Sequence, residues 1–188
     1  MNYAEAYSQL HEKHPKYFPG YTLKRYVNQV QGLVSAYEPK RLLDYGCGKG
    51  YQYLSLRLHE KWGGLLPYCY DPGVRQLSTP PEGKFDGLIC TDVLEHIEKK
   101  DMEAVLGGAL SYLHTDSMVF AFISVSCRPA EHKTLPDGRN VHLTVQPAEW
   151  WKVFFEAMQL RFKGNLFISY ACETPTVVEY GTVGEPNS

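Results

Sequence analysis

The feature of this 188-residue sequence that most constrains its fold is a glycine-rich loop directly after a short apolar segment. Residues 41–45 are typical of a buried strand, and Gly46-Cys47-Gly48-Lys49-Gly50 follows. Glycines here let the backbone turn tightly and approach a ligand without a Cβ in the way. A helix predicted over 51–61 would point its free N–H groups at the same spot, where they would stabilise a carboxylate or phosphate.

Strands and helices alternate along the rest of the chain. Predicted helices cover 3–10, 22–37, 51–61, 100–113 and 147–158, and predicted strands cover 41–45, 65–70, 85–91 and 118–125. Residues 160–163 and 166–171 predict a closing hairpin turned at Gly164-Asn165. This order favours an α/β, Rossmann-like, doubly wound and mostly parallel sheet of about six strands with a C-terminal antiparallel hairpin. Ligands in such sheets bind at the carboxyl ends of the strands, which here are Tyr45, Tyr70, Thr91 and Val125.

Length and composition predict one domain over residues 1–173 and a loose tail over 174–188. The net charge of −2 gives no electrostatic attraction to nucleic acid. The cysteines are scattered without a Cys-x-x-Cys pair, which argues against a disulfide framework or a structural zinc site. No apolar stretch approaches the roughly 20 residues of a membrane span, and the first ten residues lack a signal-peptide pattern. We therefore expect a cytoplasmic protein without a membrane partner, and the oligomeric state is left open.

The glycine spacing separates three nucleotide-binding motifs. A P-loop requires Ser or Thr after its lysine, but Lys49 is followed by Gly50. A dinucleotide fingerprint would place its third glycine at Tyr51. The remaining pattern is Asp-x-Gly-x-Gly-x-Gly starting at Asp44, and it resembles the loop of class I S-adenosylmethionine-dependent methyltransferases. The resemblance implies that the loop wraps the methionine part of S-adenosylmethionine and that Asp44 helps to hold its amino group.

A second acid, Asp71, follows the next predicted strand, where the resemblance implies a carboxylate that binds both ribose hydroxyls. Asp71-Pro72-Gly73 is also a common turn sequence, and the two interpretations are compatible. Residues 72–84 are too few for a helix and a strand, so the family's edge strand 3 and its helix are expected to be missing. Adenine recognition is then left open, with the backbone at 75–77 as one candidate. The predicted cofactor-binding residues are Asp44, Tyr45, Gly46, Cys47, Gly48, Gly50, Tyr70, Asp71, Asp92 and Val93.

Residues 85–97 resemble the segment of small-molecule methyltransferases that ends beside the methyl sulfonium, at Thr91-Asp92. A substrate loop is predicted over 126–146, and its His142 precedes a helix start as in similar enzymes. In a first interpretation His142 is a general base or orients the acceptor, because its ordinary pKa near 6.5 suits proton transfer. Asp92 and His96 are the other catalytic candidates.

A second interpretation makes Asp92, Glu95, His96 and His142 a site for Mg²⁺ or Mn²⁺. A similar Glu-x-x-Glu-His with a distant histidine occurs in small-RNA 3′-end methyltransferases, and a related arrangement occurs in ubiquinone-pathway O-methyltransferases. The metal-free interpretation is favoured, because many relatives with Glu-His at this point bind no metal. In a third interpretation, Glu95 and His96 only cap and orient the next helix.

The predicted function is S-adenosylmethionine-dependent methyl transfer to an oxygen or nitrogen of a small molecule such as a sugar, nucleotide or metabolite. S-adenosylhomocysteine would be the product, and the helices within 1–38 would form part of the substrate lid. One alternative, which is not favoured, is a nucleic-acid or nucleotide-modifying methyltransferase that could use a metal ion. A second alternative is a non-catalytic cofactor-binding protein. The only local hint of nucleic-acid binding is a basic cluster of His11, Lys13, His14, Lys16, Lys24 and Arg25.

Overall fold

The computed structural model describes residues 3–14, 16–162 and 165–186. Its α-helices are α1 (Tyr3–Lys13), α2 (Val27–Tyr37), α3 (Tyr51–Leu54), α4 (Met102–Leu110) and α5 (Ala148–Leu160). Its strands are β1 (Leu42–Tyr45), β2 (Tyr68–Tyr70), β3 (Gly87–Thr91), β4 (Val119–Ser126), β5 (Leu166–Glu173) and β6 (Val178–Val183). Short 3-10 helices span Thr22–Tyr26, Leu58–Trp62, Arg75–Leu77 and Leu94–His96. None of the helices in the described ranges has the length and apolar character that a membrane span requires.

The strands form one sheet in the order β2-β1-β3-β4-β5-β6. Neighbours from β2 to β5 pair in parallel, and β6 pairs antiparallel with β5. The predicted α/β class, the mostly parallel six-stranded sheet and the C-terminal antiparallel hairpin are therefore confirmed. The chain leaves β1 toward β2 on one side and returns to β3 on the other. The topological switch point consequently lies at the carboxyl ends of β1 and β3, where such sheets bind ligands.

Helices cover both faces of the sheet, and β4 shows this most clearly because all its residues are buried. Ala121 and Ile123 pack in the cluster that contains Trp151 of α5. Phe120 and Phe122 belong to the cluster on the opposite face, with residues of α2. A strand between two packed layers has no solvent face, which explains its uninterrupted apolar sequence.

The C-terminal hairpin involves different residues from those predicted. Helix α5 continues to Leu160 and a turn reaches Phe162, so no strand forms at 160–162; Lys163 and Gly164 lie outside the described residues. The hairpin joins β5 to β6, and the Thr174 N–H donates to the Val177 carbonyl at its turn. The loose tail predicted from residue 174 is therefore wrong for residues 178–183. Strand β6 is largely exposed and forms by backbone pairing with β5, which the hydrophobic pattern does not reveal.

The connections from β1 to β2 and from β2 to β3 contain only short helices. The helix predicted over 51–61 is split into α3 and the 3-10 helix Leu58–Trp62, and Arg57 between them has φ 51°. Between β2 and β3 the described chain contains only the 3-10 helix Arg75–Leu77. The expected loss of an edge strand and its helix is thus confirmed, and β2 is the edge of the sheet.

Candidate active site

A cavity of about 550 Å³ opens at the carboxyl ends of β1, β2 and β3. Helix α1 and the 126–146 loop complete its wall. The wall does not include the 3-10 helix Arg75–Leu77. Asp44, Gly50 and Tyr70 are not among the residues that line it. The predicted cofactor residues that line the cavity are Tyr45, Gly46, Cys47, Gly48, Asp71, Asp92 and Val93.

The cofactor loop, residues 46–50, requires glycine because neighbouring groups approach its backbone closely. Gly46 and Gly48 have φ values of 78° and 58°, which are strained for other residues. A Cβ on Gly46 would lie 2.3 Å from a Val93 methyl carbon. A Cβ on Gly48 would lie 2.6 Å from the Phe18 carbonyl oxygen. The loop is therefore packed on one side against Val93 and on the other against a segment near the N-terminus.

That segment, residues 18–20, is called the N-terminal clamp below. Its carbonyl groups accept hydrogen bonds from the backbone N–H groups of Lys49, Tyr51 and Gln52, at 3.3, 3.2 and 2.9 Å. The sequence-based expectation that the helix start offers free N–H groups to an anion is therefore wrong. The clamp occupies these donors, and α3 is only four residues long.

Asp44 is completely buried beneath the cofactor loop. Its Oδ2 accepts hydrogen bonds from Gln52 Nε2 at 2.6 Å and from the Tyr53 hydroxyl at 2.7 Å. Burial raises the pKa of Asp44 to about 7 despite these bonds. Its Oδ1 has no hydrogen-bond partner among the described residues.

Gln52 links Asp44 to the cavity, since it lines the wall while Asp44 lies behind. A carboxylate only accepts hydrogen bonds, so the amide nitrogen of Gln52 must face Asp44. This orientation leaves Gln52 Oε1 buried and also without a partner in the described chain. Two unpaired acceptor oxygens therefore lie beside the cofactor loop, and a buried acceptor of this kind favours a donor such as an ammonium group.

The Asp71 carboxylate connects the loop after β1 to the turn after β2 by accepting hydrogen bonds from their backbone N–H groups. Its Oδ2 accepts a hydrogen bond from the Gly48 N–H and its Oδ1 accepts one from the Gly73 N–H, each at 2.9 Å. Burial raises the pKa of Asp71 to about 6, although both bonds favour the ionised form. Each carboxylate oxygen retains a second lone pair, so Asp71 can hold the cofactor loop and still accept hydroxyl groups from a ligand.

Opposite the cofactor loop, Asp92, His96 and His142 form what is called the acceptor corner below. One ligand atom from each lies within 4.8 Å of the others. His96 Nδ1 lies 3.0 Å from the Val141 carbonyl, and His142 Nδ1 lies 2.6 Å from the Arg128 carbonyl. Since a carbonyl oxygen cannot donate, both Nδ1 atoms carry the hydrogen and both Nε2 atoms carry a lone pair when the imidazoles are neutral.

The surroundings of the acceptor corner favour the unprotonated forms of His96 and Asp92. Burial lowers the pKa of His96 to about 4, so its imidazole is neutral near pH 7. Glu95 is fully buried beside Asp92, and burial followed by the Asp92 charge raises its pKa far above the ordinary range. Burial also raises the pKa of Asp92, but His96, the hydrogen bond from Glu95 and His142 outweigh this and hold it below its usual value. Asp92 is thus the ionised member of the carboxyl pair.

Glu95 lies outside the cavity wall and has a structural contact of its own. Its Oε1 accepts a 2.6 Å hydrogen bond from the Ser126 N–H at the end of β4. Glu95 is therefore bound to the end of β4, whereas His96 lines the cavity. This side-chain contact of Glu95 is with β4 and not with α4, and the interpretation that Glu95 and His96 cap the next helix stays a prediction.

Residues 21–162 match the model of a family described as a methyltransferase domain. The chain belongs to this family. The match covers well over half of the chain and identifies it, together with the mostly parallel sheet, as a class I S-adenosylmethionine-dependent methyltransferase. No curated protein and no solved structure matches the chain. The matched region of this methyltransferase contains the acceptor corner, while α1 and the N-terminal clamp lie before it.

Several contacts of the methyltransferase site had no signal in the sequence. The Tyr7 hydroxyl lies 3.1 Å from His96 Nδ1 and donates to the Val141 carbonyl. The Phe18 ring meets the His96 ring edge to face, with centroids 5.5 Å apart. The Thr22 hydroxyl donates to Asp92 Oδ2 at 3.4 Å. These partners lie 70 or more positions from the residues they touch, so local spacing does not predict them.

Proposed function

We propose that this methyltransferase binds S-adenosylmethionine along the cofactor loop and transfers its methyl group to an oxygen or nitrogen of a small molecule at the acceptor corner. The observation that carries the proposal is that one cavity contains both groups of residues. Its volume of about 550 Å³ falls within the range of small-molecule sites. A cofactor and an acceptor in one such cavity would meet without a large movement of the chain.

The residues around the cofactor loop fit the cofactor at two points. The unpaired oxygens of Asp44 and Gln52 suit its amino group, and Gln52 supplies the contact with the cavity that Asp44 lacks. Asp71 suits the ribose hydroxyls, because each of its oxygens has a lone pair left. S-adenosylmethionine, when bound, supplies a methyl group on a positively charged sulfur. The protein's task is then to position an acceptor in line with that methyl group.

The acceptor corner presents lone pairs, so it suits a group that brings its own O–H or N–H. His142 is half-buried and lines the cavity, and we assign its Nε2 as the atom that receives the acceptor's proton. Asp92 and His96 orient the acceptor in this proposal, since the Thr22 hydroxyl binds Asp92 and the Val141 carbonyl binds His96 Nδ1.

Helix α1 and the 126–146 loop form the lid in this proposal. The Tyr3 hydroxyl donates to Asp101 at 2.6 Å and accepts from the Glu98 N–H, which fixes α1 across the cavity. Leu10 of α1 packs with Leu135 and Val141 of the loop. A cavity bounded by α1 and the 126–146 loop and a net charge of −2 favour a small acceptor over a nucleic acid.

Calorimetry with S-adenosylhomocysteine tests the cofactor assignment, and we expect binding at micromolar ligand. A methyl-release assay over sugars, nucleotides, other metabolites and oligonucleotides tests the acceptor assignment. We expect turnover with a small molecule and a fall in kcat of roughly 100-fold for His142→Ala, in the range of lost general-base catalysis. No binding at millimolar ligand would sink the cofactor assignment. Turnover confined to oligonucleotides would overturn the small-molecule assignment, and binding without any turnover would identify a cofactor-binding protein.

A further inference from the structure

We propose that Asp92, His96 and His142 bind a divalent transition-metal ion at the acceptor corner. Their ligand atoms converge within 4.8 Å from a strand end, a 3-10 helix and a separate loop. All three atoms are lone-pair acceptors, so they repel one another electrostatically unless a donor or a cation lies between them. A single cation satisfies all three at once, whereas one acceptor hydroxyl supplies a single hydrogen.

His96 provides the most specific evidence. Its side chain is only 6% exposed, its Nδ1–H is committed to the Val141 carbonyl, and its Nε2 has no partner within the described chain. Buried polar atoms in proteins are nearly always paired. The Tyr7 hydroxyl and the Phe18 ring hold the imidazole in this orientation, which directs an available lone pair into the corner.

The other two ligands are supported in the same manner. His142 Nδ1–H donates to the Arg128 carbonyl at 2.6 Å, which leaves Nε2 to coordinate. Asp92 Oδ2 accepts a hydrogen bond from the Thr22 hydroxyl. Histidine ligands of metals almost always donate their other ring N–H to a carbonyl or carboxylate, which fixes the tautomer. Every member of this trio has such an outer partner.

The donor set also indicates the kind of ion. Two imidazoles and one carboxylate suit Mn²⁺, Fe²⁺ or Zn²⁺, whereas Mg²⁺ and Ca²⁺ prefer sites made of oxygen alone. Three protein ligands leave coordination positions for an acceptor oxygen. The Lys133 ammonium lies 5.3 Å from the Phe18 ring centroid and also lines the cavity, so its charge opposes a cation. Lys133→Gln should therefore strengthen metal binding by a few-fold.

The chemical consequence rests on the proposed function. An ion here would hold the acceptor hydroxyl and lower its pKa, so that the proton leaves to water. The resulting alkoxide forms the new O–CH₃ bond while the S–CH₃ bond breaks, and its electron pair stays on sulfur to give neutral S-adenosylhomocysteine. His142 is then a ligand, and the task of receiving the proton passes from its Nε2 to water.

The test measures metal binding directly. Protein stripped with EDTA and dialysed is titrated with MnCl₂ while free Mn²⁺ is followed by electron paramagnetic resonance, and with ZnCl₂ by calorimetry. We expect one ion per chain, and a loss of affinity of at least tenfold in both Asp92→Asn and His142→Ala. The matched control is His132→Asn, which removes an exposed histidine of the same loop; asparagine tolerates the φ of 55° there. The control should bind like the unaltered protein.

Folding and cofactor binding are checked separately, because a variant that fails to fold would also lose metal. Each variant is titrated with S-adenosylhomocysteine, and normal cofactor binding with weakened metal binding supports the proposal. Absence of binding at millimolar metal, or equal metal affinity in all variants, would overturn it. Full methyl release by EDTA-stripped protein would remove the ion from the reaction and leave the proposed function intact. Failure to bind S-adenosylhomocysteine would count against the proposed function whatever the metal does.

Discussion

The two sides of the cavity are built in different ways. The cofactor side comes from segments that are nearly continuous in sequence, residues 44–53 and 71–73, and it depends on backbone geometry at glycines. The acceptor corner combines Asp92, His96 and His142 with partners from α1 and the 126–146 loop. A site made by backbone turns is sensitive to one added methyl group. In a site made by side chains from several segments, each substitution removes the contacts of one residue and leaves the others in place.

Gly48→Ala should have the largest effect on the cofactor side. The new Cβ would lie 2.6 Å from the Phe18 carbonyl oxygen, and φ at this position is 58°. Because a backbone atom cannot move aside as a flexible side chain can, the loop and the N-terminal clamp must separate. We expect a loss of at least 100-fold in affinity for S-adenosylhomocysteine, measured by calorimetry.

Gly64→Ala is the matched control for backbone strain. Gly64 has φ 85°, but a Cβ there has nothing within 4 Å. Gly64→Ala should therefore strain the backbone to a similar degree without a clash. Cofactor affinity should be unchanged, while the free energy of unfolding falls by about 1 kcal/mol. Equal losses of cofactor affinity in the two variants would show that backbone strain, and not the close approach to the clamp, is the reason why position 48 requires glycine.

Asp71→Asn should have the second largest effect. An amide has one acceptor oxygen, so the variant can no longer accept both the Gly48 and the Gly73 N–H bonds. Its amide hydrogens would also face the backbone donor that it fails to accept. We expect cofactor affinity to fall roughly 10- to 30-fold, equivalent to about 1.4–2 kcal/mol.

The control for the lost charge is Asp116→Asn, at a carboxylate that is 87% exposed. It should leave cofactor affinity unchanged. If Asp71→Asn also bound normally, Asp71 would be a turn residue only, and the ribose assignment would have to be abandoned.

The contrast between the two sides also explains how far the sequence could predict them. The Gly46–Gly50 spacing, the acid within β1 and the acid after β2 are local patterns, and Gly46, Gly48 and Asp71 line one cavity. The clamp and the Tyr7 and Thr22 contacts depend on how distant segments pack, and no spacing encodes that. Strand β6 was missed for the same reason, because its exposed residues form a strand only through pairing with β5.

The smallest expected effect is the pH dependence of stability that results from the burial of Asp44. Its pKa is raised to about 7 in the folded protein, so the contribution of this group to stability is complete below about pH 4 and is lost as pH rises through 7. Between pH 6 and 8 the loss is about 1.4 kcal/mol, because the unfolded chain releases this proton first. The side chain stays neutral in Asp44→Asn. Between pH 6 and 8 the free energy of unfolding of this variant, measured in urea, should therefore fall by about 1.4 kcal/mol less than that of the unaltered protein.

Cofactor binding should respond to Asp44 in the opposite direction. An amino group beside Oδ1 favours the ionised carboxylate, so affinity for S-adenosylhomocysteine should rise by several-fold to tenfold from pH 6 to 8. Asp44→Asn should show a flatter profile, while Asp116→Asn should follow the unaltered protein. Parallel profiles for all three proteins would contradict a contact between Asp44 and the amino group. Gln52 would then be the better candidate for that contact, since it lines the cavity and its Oε1 has no partner in the described chain.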